Sequence, residues 1–428
     1  MKAKHSLLAS IVILPLCASV LCSCKDAISP YVFNLEHDSS EFVRNLNVNK
    51  SKKIKNVICF IGDGMGYNQV NAGGIYFGKP LTFADSSNAK WSYHALVNTD
   101  SLTSTGFTLD ESKSLIKPDL NNSLYDGTPS PYGESSSFEN IAPYTDSAAG
   151  GTAISTGKKV TNSRVAMDIE GNNIETIVEI AHKLGKKTGV VTSDYLTGAT
   201  PADFISHVPD RYDALDIIAQ GATCGADLIM AQKPNEWQSE QVSIYENNGF
   251  AISYDAEDLN KEDDKVIFLP TEITPLDNYR NPTLTELTQF SLDYLDNEEG
   301  FFLMVEGAKI DKQCHSNNAY GMMRELEGFN NAVREAEKWA SLRDDTLIVV
   351  TADHECGAMY YDYKNATQET ILEDIKWLSS NHSRSRVRLD VYGDISEFVE
   401  KYDSEFNTLE EMPYWDNTYT FNLMCSYL

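Results

Sequence analysis

The chain has 428 residues, 42% of them hydrophobic and 23% charged, which is globular composition with length enough for a large core. Its formal net charge of −28 argues against nucleic acid and anionic membrane surfaces as partners. An anionic substrate would need a strong local positive field, of the kind that bound metal ions supply.

The first 23 residues carry Lys2 and Lys4, then an apolar run from Leu7 to Leu21, then Cys22, Ser23 and Cys24. That is the layout of a secretory signal, and the run, interrupted by Pro15 and Cys17, is short for a membrane-spanning helix. Leu21 to Cys24 resembles a bacterial lipobox, so the expectation is export from the bacterial cytoplasm to the periplasm or cell surface with a lipid anchor on Cys24. Ordinary cleavage to a soluble exported protein is the alternative. Removing residues 1–23 takes away two lysines and no acids, so −28 becomes −30. The other cysteines, Cys59, Cys224, Cys314, Cys356 and Cys425, are odd in number and widely spaced, which excludes a disulfide-scaffolded domain.

Residues 24–50 read as a polar tether, and residues 51–428 as one large domain. Short runs rich in β-branched and aromatic residues follow at Asn56–Ile61, Thr188–Thr192, Phe301–Val305 and Thr346–Thr351, as expected of strands buried on both faces of a parallel sheet. Helical patterns at Asn173–Leu184, closed by Gly185, and at Thr285–Leu295 lie between them. The alternation predicts an α/β fold: a doubly wound, mostly parallel central sheet with helices on both faces. Residues 99–143, rich in Ser, Thr, Asn, Asp, Pro and Gly, interrupt the rhythm as a long insertion, either a lid or a disordered segment, and residues 357–381 form a shorter excursion.

Three of the predicted strands run straight into metal-ligand chemistry. Asn56–Ile61 leads to Asp63, Phe301–Val305 to Glu306, Asp311 and His315, and Thr346–Thr351 to Asp353 and His354. In open α/β sheets ligands bind outside the carboxyl ends of the strands, so these side chains should meet at one edge. Carboxylates gathered there repel unless a cation joins them, and oxygen with imidazole donors suits zinc with some magnesium-like character. Ser147, ahead of Ala148, Ala149, Gly150 and Gly151, is placed to enter a helix, where the N-terminal field favours an anion. Its pattern alone fits a plain N-cap serine equally well. The metal cluster tips the reading towards a nucleophile, because a metal can activate a serine that has no histidine in its own motif.

The segments VICFIGDGMG (57–66), TDSAAGGTA (145–153), ATPADFISHVPDR (199–211), VEGAKIDKQCH (305–315), VVTADHECG (349–357) and NHSRSRV (381–387) resemble, in order, the successive motifs of the alkaline phosphatases. The resemblance implies that Asp311, His315 and His382 hold a first zinc and Asp63, Asp353 and His354 a second. It implies a magnesium ion shared by Asp63, Thr200 and Glu306, and a phosphate grip by Arg211, whose guanidinium fork binds two oxygens at once. Lys312 matches a subset of the family in which a lysine reaches phosphate through water, an exposed lysine being the alternative. The implied substrates are small phosphate monoesters; the oligomeric state stays open, a homodimer included. Family members usually carry Asp or His where this chain has Gly198, which leads to the expectation of a labile magnesium. Cys314 and Cys356 flank predicted ligands and read as structural thiols, with a disulfide between them or a tuning of the site as the alternatives. A phosphodiesterase or sulfatase of the same superfamily, or a non-catalytic phosphate- or metal-binding surface lipoprotein, are the rival functions.

Overall fold

The computed structural model describes residues 54–101, 144–276, 280–402, 407–409 and 412–428. The expected signal segment, Cys24, the tether and residues 102–143 of the insertion lie outside the described residues. From one edge to the other, an eleven-stranded sheet runs Asn407–Leu409, Met412–Asp416, Trp91–Asn98, Val387–Tyr392, Thr346–Thr351, Asn56–Gly62, Phe301–Gly307, Lys187–Tyr195, Leu228–Gln232, Lys265–Phe268 and Phe250–Ser253. The seven strands from Thr346–Thr351 onward are mutually parallel. Val387–Tyr392 runs antiparallel to both of its neighbours.

The four predicted strands sit side by side in the middle of this sheet. Asn56–Gly62, Phe301–Gly307 and Thr346–Thr351 are buried at every residue, which explains why their sequences are continuous apolar runs rather than alternations. Val57 pairs with Phe302, so Phe60, an odd number of residues further on, points to the opposite face. Phe60 meets Phe329 of the Ala319–Ala340 helix at 5.9 Å, edge to face, while Phe302 stacks on Phe204 of the Ala199–Ile205 helix at 6.2 Å. Helices therefore cover both faces, as the doubly wound reading expects. Among the described residues no helix is long and apolar enough to cross a membrane.

The helix expected from Asn173 begins at Ile177, because Thr176 caps it: the Thr176 hydroxyl accepts from the Glu179 amide, and the Glu179 carboxylate accepts from the Thr176 amide. This reciprocal pairing satisfies two amides that the first turn leaves without partners. The same device opens Leu284–Leu295, with Thr283 and Glu286. Residues 357–381 fold into a two-stranded ribbon, Met359–Tyr360 against Lys376–Trp377, and a short helix, Ile371–Asp374.

The helix Ser147–Thr156 is buried at every residue. Ala148 packs with Val165, Ala199, Ala202, Val208 and Ile217 in a small separate core. The two glycines of this helix permit its close approach to the sheet edge: a Cβ on Gly150 would stand 2.6 Å from the Asp353 carbonyl oxygen, and one on Gly151 would overlap the Asp203 carboxylate. Gly150→Ala is accordingly expected to destabilise the fold by about 1–3 kcal/mol through overpacking, read from the midpoint of urea unfolding. An unchanged midpoint would mean that the helix has slack against Asp353.

Candidate active site

The register of the sheet decides which side chains meet at its carboxyl edge. Ile61 lies opposite both Glu306 and Thr351, and Thr192 lies opposite Glu306. Glu306 thus ends its strand level with Ile61, while Asp63 and Asp353 each stand two residues beyond. Gly64 turns the chain at φ +69°, a left-handed value open to glycine, and a Cβ there would lie 2.9 Å from the Asp311 Cα. The amides of Gly64 and His354 donate to Asp353 Oδ1 at 3.2 and 3.0 Å.

Asp311 and His315 lie one turn apart on the Lys309–His315 helix. His382 returns from the excursion on a two-residue strand, opposite Cys356. The Nδ1 atoms of His315 and His382 face the Ser380 and Thr145 carbonyl oxygens at 2.6 and 2.7 Å. A carbonyl can only accept, so each Nδ1 carries the proton, and in a neutral ring each Nε2 presents a lone pair. Those two Nε2 atoms are 3.1 Å apart, with Asp311 oxygens 3.2 and 3.5 Å from them. Only a proton or a cation relieves such an arrangement. His315 is raised in pKa, first by its hydrogen bond to Asp311, whereas burial, followed by the charge of His354, pushes His382 down to about 4. A neutral His382 is in the form that binds a metal.

The second group is Asp63, Asp353 and His354. His354 Nε2 stands 3.1 Å from Asp353 Oδ2 and 3.4 Å from Asp63 Oδ1. Burial, then the charges of Asp353, Asp311 and Glu306, raises Asp63 well above the usual carboxylate range. Two like charges about 4 Å apart repel by about 4 kcal/mol at an effective dielectric constant near ~20, so these carboxylates cannot all ionise without a counter-charge. Asp63 Oδ1, Asp311 Oδ1, Asp353 Oδ2 and Thr200 Oγ1 are buried without a hydrogen bond of acceptable geometry. Within each group one ligand atom per residue lies within 4.8 Å of the others; the first group is Asp311, His315, His382 and also Cys356, the second Asp63, Asp353 and His354. Buried oxygens without hydrogen bonds, converging with imidazole nitrogens, are what divalent cations require, and the residues present fit them.

Ser147 is the first residue of its helix, and the N-cap is Asp146, whose Oδ1 accepts from the Ala149 amide at 3.0 Å. The plain N-cap reading of Ser147 is therefore set aside. Ser147 Oγ lies 3.2 Å from His354 Nε2, beside the second group. Asp146 Oδ2 accepts from the Ser163 amide at 3.0 Å and from Arg211 Nη1 at 3.1 Å, which ties the guanidinium to the start of the Ser147 helix. Asp203, fully buried and raised in pKa by burial, accepts from Thr152 on the same helix at 2.8 Å.

Glu306, its carboxylate accepting from the Thr192 hydroxyl, is pushed up to about 8 by burial and then by the charge of Asp194. Thr200 lies buried in the Ala199–Ile205 helix that follows the Lys187–Tyr195 strand. Lys312 is paired with Asp194, a residue that sequence reasoning passed over. Its only sequence signal was a carboxylate at the end of a predicted strand, four positions before Gly198. Asp146 was passed over likewise, although it immediately precedes the serine. Cys314 and Cys356 are buried free thiols, so the disulfide alternative does not hold.

Stripping divalent cations with a chelator is expected to destabilise the protein, because the converging lone pairs lose their counter-charge. The loss should be about 4 kcal/mol where the cation had been present at about 1,000-fold its Kd, measured by urea unfolding before and after dialysis. A midpoint indifferent to chelation would contradict cation binding at these groups.

Residues 131–244 and 244–421 match the alkaline phosphatase family profile. Alkaline phosphatase 3 of Bacillus subtilis (strain 168) is 30% identical over 322 residues, 71% of this chain and 62% of that protein, so the chain spans less than two thirds of that relative. Alkaline phosphatase of Escherichia coli (strain K12) is 28% identical over 375 residues, 71% of this chain and 70% of the other. The structure of alkaline phosphatase from the Antarctic bacterium TAB5 superposes with a TM-score of 0.66 at 24% identity, covering 88% of this chain and 98% of that one, which speaks for the fold. On its motifs, its profile match and the arrangement of its sheet edge, this chain belongs to the alkaline phosphatase family.

Proposed function

We propose that the chain hydrolyses phosphate monoesters and passes the phosphoryl group through Ser147. The observation that carries this reading is the position of Ser147 Oγ: at a helix N-terminus, 3.2 Å from His354 Nε2, beside two groups of converging carboxylate and imidazole ligand atoms. Asp311, His315 and His382 would hold one zinc ion, Asp63, Asp353 and His354 a second, and Asp63, Thr200 and Glu306 a magnesium ion. Bound there, such ions supply Lewis-acid charge and acidify the hydroxyl and water molecules they contact.

This chain's own residues carry the remaining work. The Ser147 amide and its neighbours at the helix start favour an anion in front of them. Asp146 holds the Arg211 guanidinium by one nitrogen, leaving its other N–H groups for two equatorial phosphate oxygens. Ser147 Oγ forms a bond to phosphorus as the ester P–O bond breaks, and the alcohol leaves with a proton. Water then bonds to phosphorus as the Ser147 P–O bond breaks, and Oγ regains its proton. Two in-line displacements retain configuration at phosphorus.

The exported, lipid-anchored reading belongs to the same proposal. Cys24→Ala is expected to move the protein from the membrane fraction to the soluble one, and equal partitioning of mutant and parent would end that reading.

Ser147→Ala should reduce turnover of p-nitrophenyl phosphate by a factor on the order of 10³ or more while leaving metal content intact. Acid quenching after labelled substrate should leave phosphate on Ser147 of the parent protein. Label on another residue would overturn the nucleophile assignment, and faster hydrolysis of bis-p-nitrophenyl phosphate than of the monoester would favour a phosphodiesterase.

A further inference from the structure

The absence of a side chain at Gly198 leaves a space at the site edge, and that space is already filled. A Cβ on Gly198 would stand 3.0 Å from Asp194 Oδ2 and 3.1 Å from the Tyr195 carbonyl oxygen. The Gly198 amide donates to that carbonyl at 2.8 Å, closing a turn that folds the end of the Lys187–Tyr195 strand back over position 198. Asp194 thereby occupies the space into which a side chain on residue 198 would extend.

Its surroundings are those of the third cation site. The Asp194 amide donates to Thr192 Oγ1 at 2.9 Å, and the Thr192 hydroxyl donates to Glu306. Thr200 Oγ1, in a residue 1% exposed, makes no hydrogen bond of acceptable geometry although the hydroxyl adjoins Glu306. After burial, the charge of Asp194 is the largest influence holding the Glu306 pKa high. Lys312 Nζ donates to Asp194 Oδ1 from a side chain 46% exposed.

We propose that Asp194 supplies the carboxylate that position 198 lacks: it is a positioning residue for the magnesium beside Glu306 and Thr200, and Lys312 clamps it rather than reaching phosphate. This rests on the third-cation reading given under the proposed function. It replaces the expectation of a labile ion, because an outer carboxylate that orients a bound ion's waters can come from any backbone position that reaches them.

The competing account is a partly exposed ion pair that only ties the strand end to the Lys309–His315 helix. Magnesium titration of zinc-loaded protein by calorimetry, with retained magnesium counted after dialysis, separates the two. The parent should bind one magnesium ion, and Asp194→Asn should weaken it about ten- to a hundredfold with zinc content unchanged. Lys312→Met, which removes only the clamp's charge, should leave the Kd within about threefold or tighten it. Gly198→Asp in the parent should not tighten binding, because Asp194 already fills the space; in an Asp194→Gly background it should restore binding. Equal weakening by Asp194→Asn and Lys312→Met would establish a simple ion pair and overturn the proposal. So would parent-like affinity in Asp194→Asn, or tighter binding by Gly198→Asp alone, with the third-cation reading left standing in each case. A parent protein that binds no magnesium would overturn both.

Discussion

The arrangement depends on one electrostatic constraint: buried carboxylates and imidazole nitrogens converge on one another at the sheet edge. Asp63, Asp311 and Asp353 each bury an oxygen that makes no hydrogen bond. His315 and His382 bring two Nε2 atoms to 3.1 Å because backbone carbonyls hold the protons on the far side of each ring. A cluster of this kind costs stability in the absence of a counter-charge, and the fold is organised to sustain it. Three central strands, buried at every residue, hold its carboxylates in register.

The same constraint explains the small residues around Ser147. The Ser147 helix must approach a sheet edge crowded with charge, and Gly150 and Gly151 let it pass Asp353 and Asp203. Asp146 then performs two tasks with one side chain, capping the helix through Ala149 and holding Arg211. The Arg211 guanidinium and the start of the Ser147 helix are coupled through that carboxylate. A change at Asp146 would therefore disturb both, even though it belongs to neither candidate metal group.

Much of this was legible in the sequence where chemistry follows a strand without a gap. Asp63, Glu306, Asp353 and His354 stand within two or three residues of apolar runs whose burial is unmistakable, so the parallel fold and the edge position came together. Arg211 and His382 were not legible from their own surroundings. Arg211 arrives on a turn after a helix and His382 on a two-residue strand after a 25-residue excursion, and only the family resemblance assigned them. The start of the helix at Ile177 was misplaced by four residues, because the pairing of Thr176 with Glu179 outweighs the apolar spacing that begins earlier. Asp194 was missed for a different reason: its proximity to Gly198 comes from a turn, which neither periodicity nor motif spacing encodes.

Two cations are proposed to occupy the converging groups at the sheet edge. Anomalous diffraction from crystals, collected on both sides of the zinc absorption edge, tests this proposal most directly. Two strong peaks are expected, one among Asp311, His315 and His382 and one among Asp63, Asp353 and His354, with Ser147 Oγ next to the second. Absence of both peaks from crystals of active protein grown with zinc, with the side chains unmoved, would contradict it.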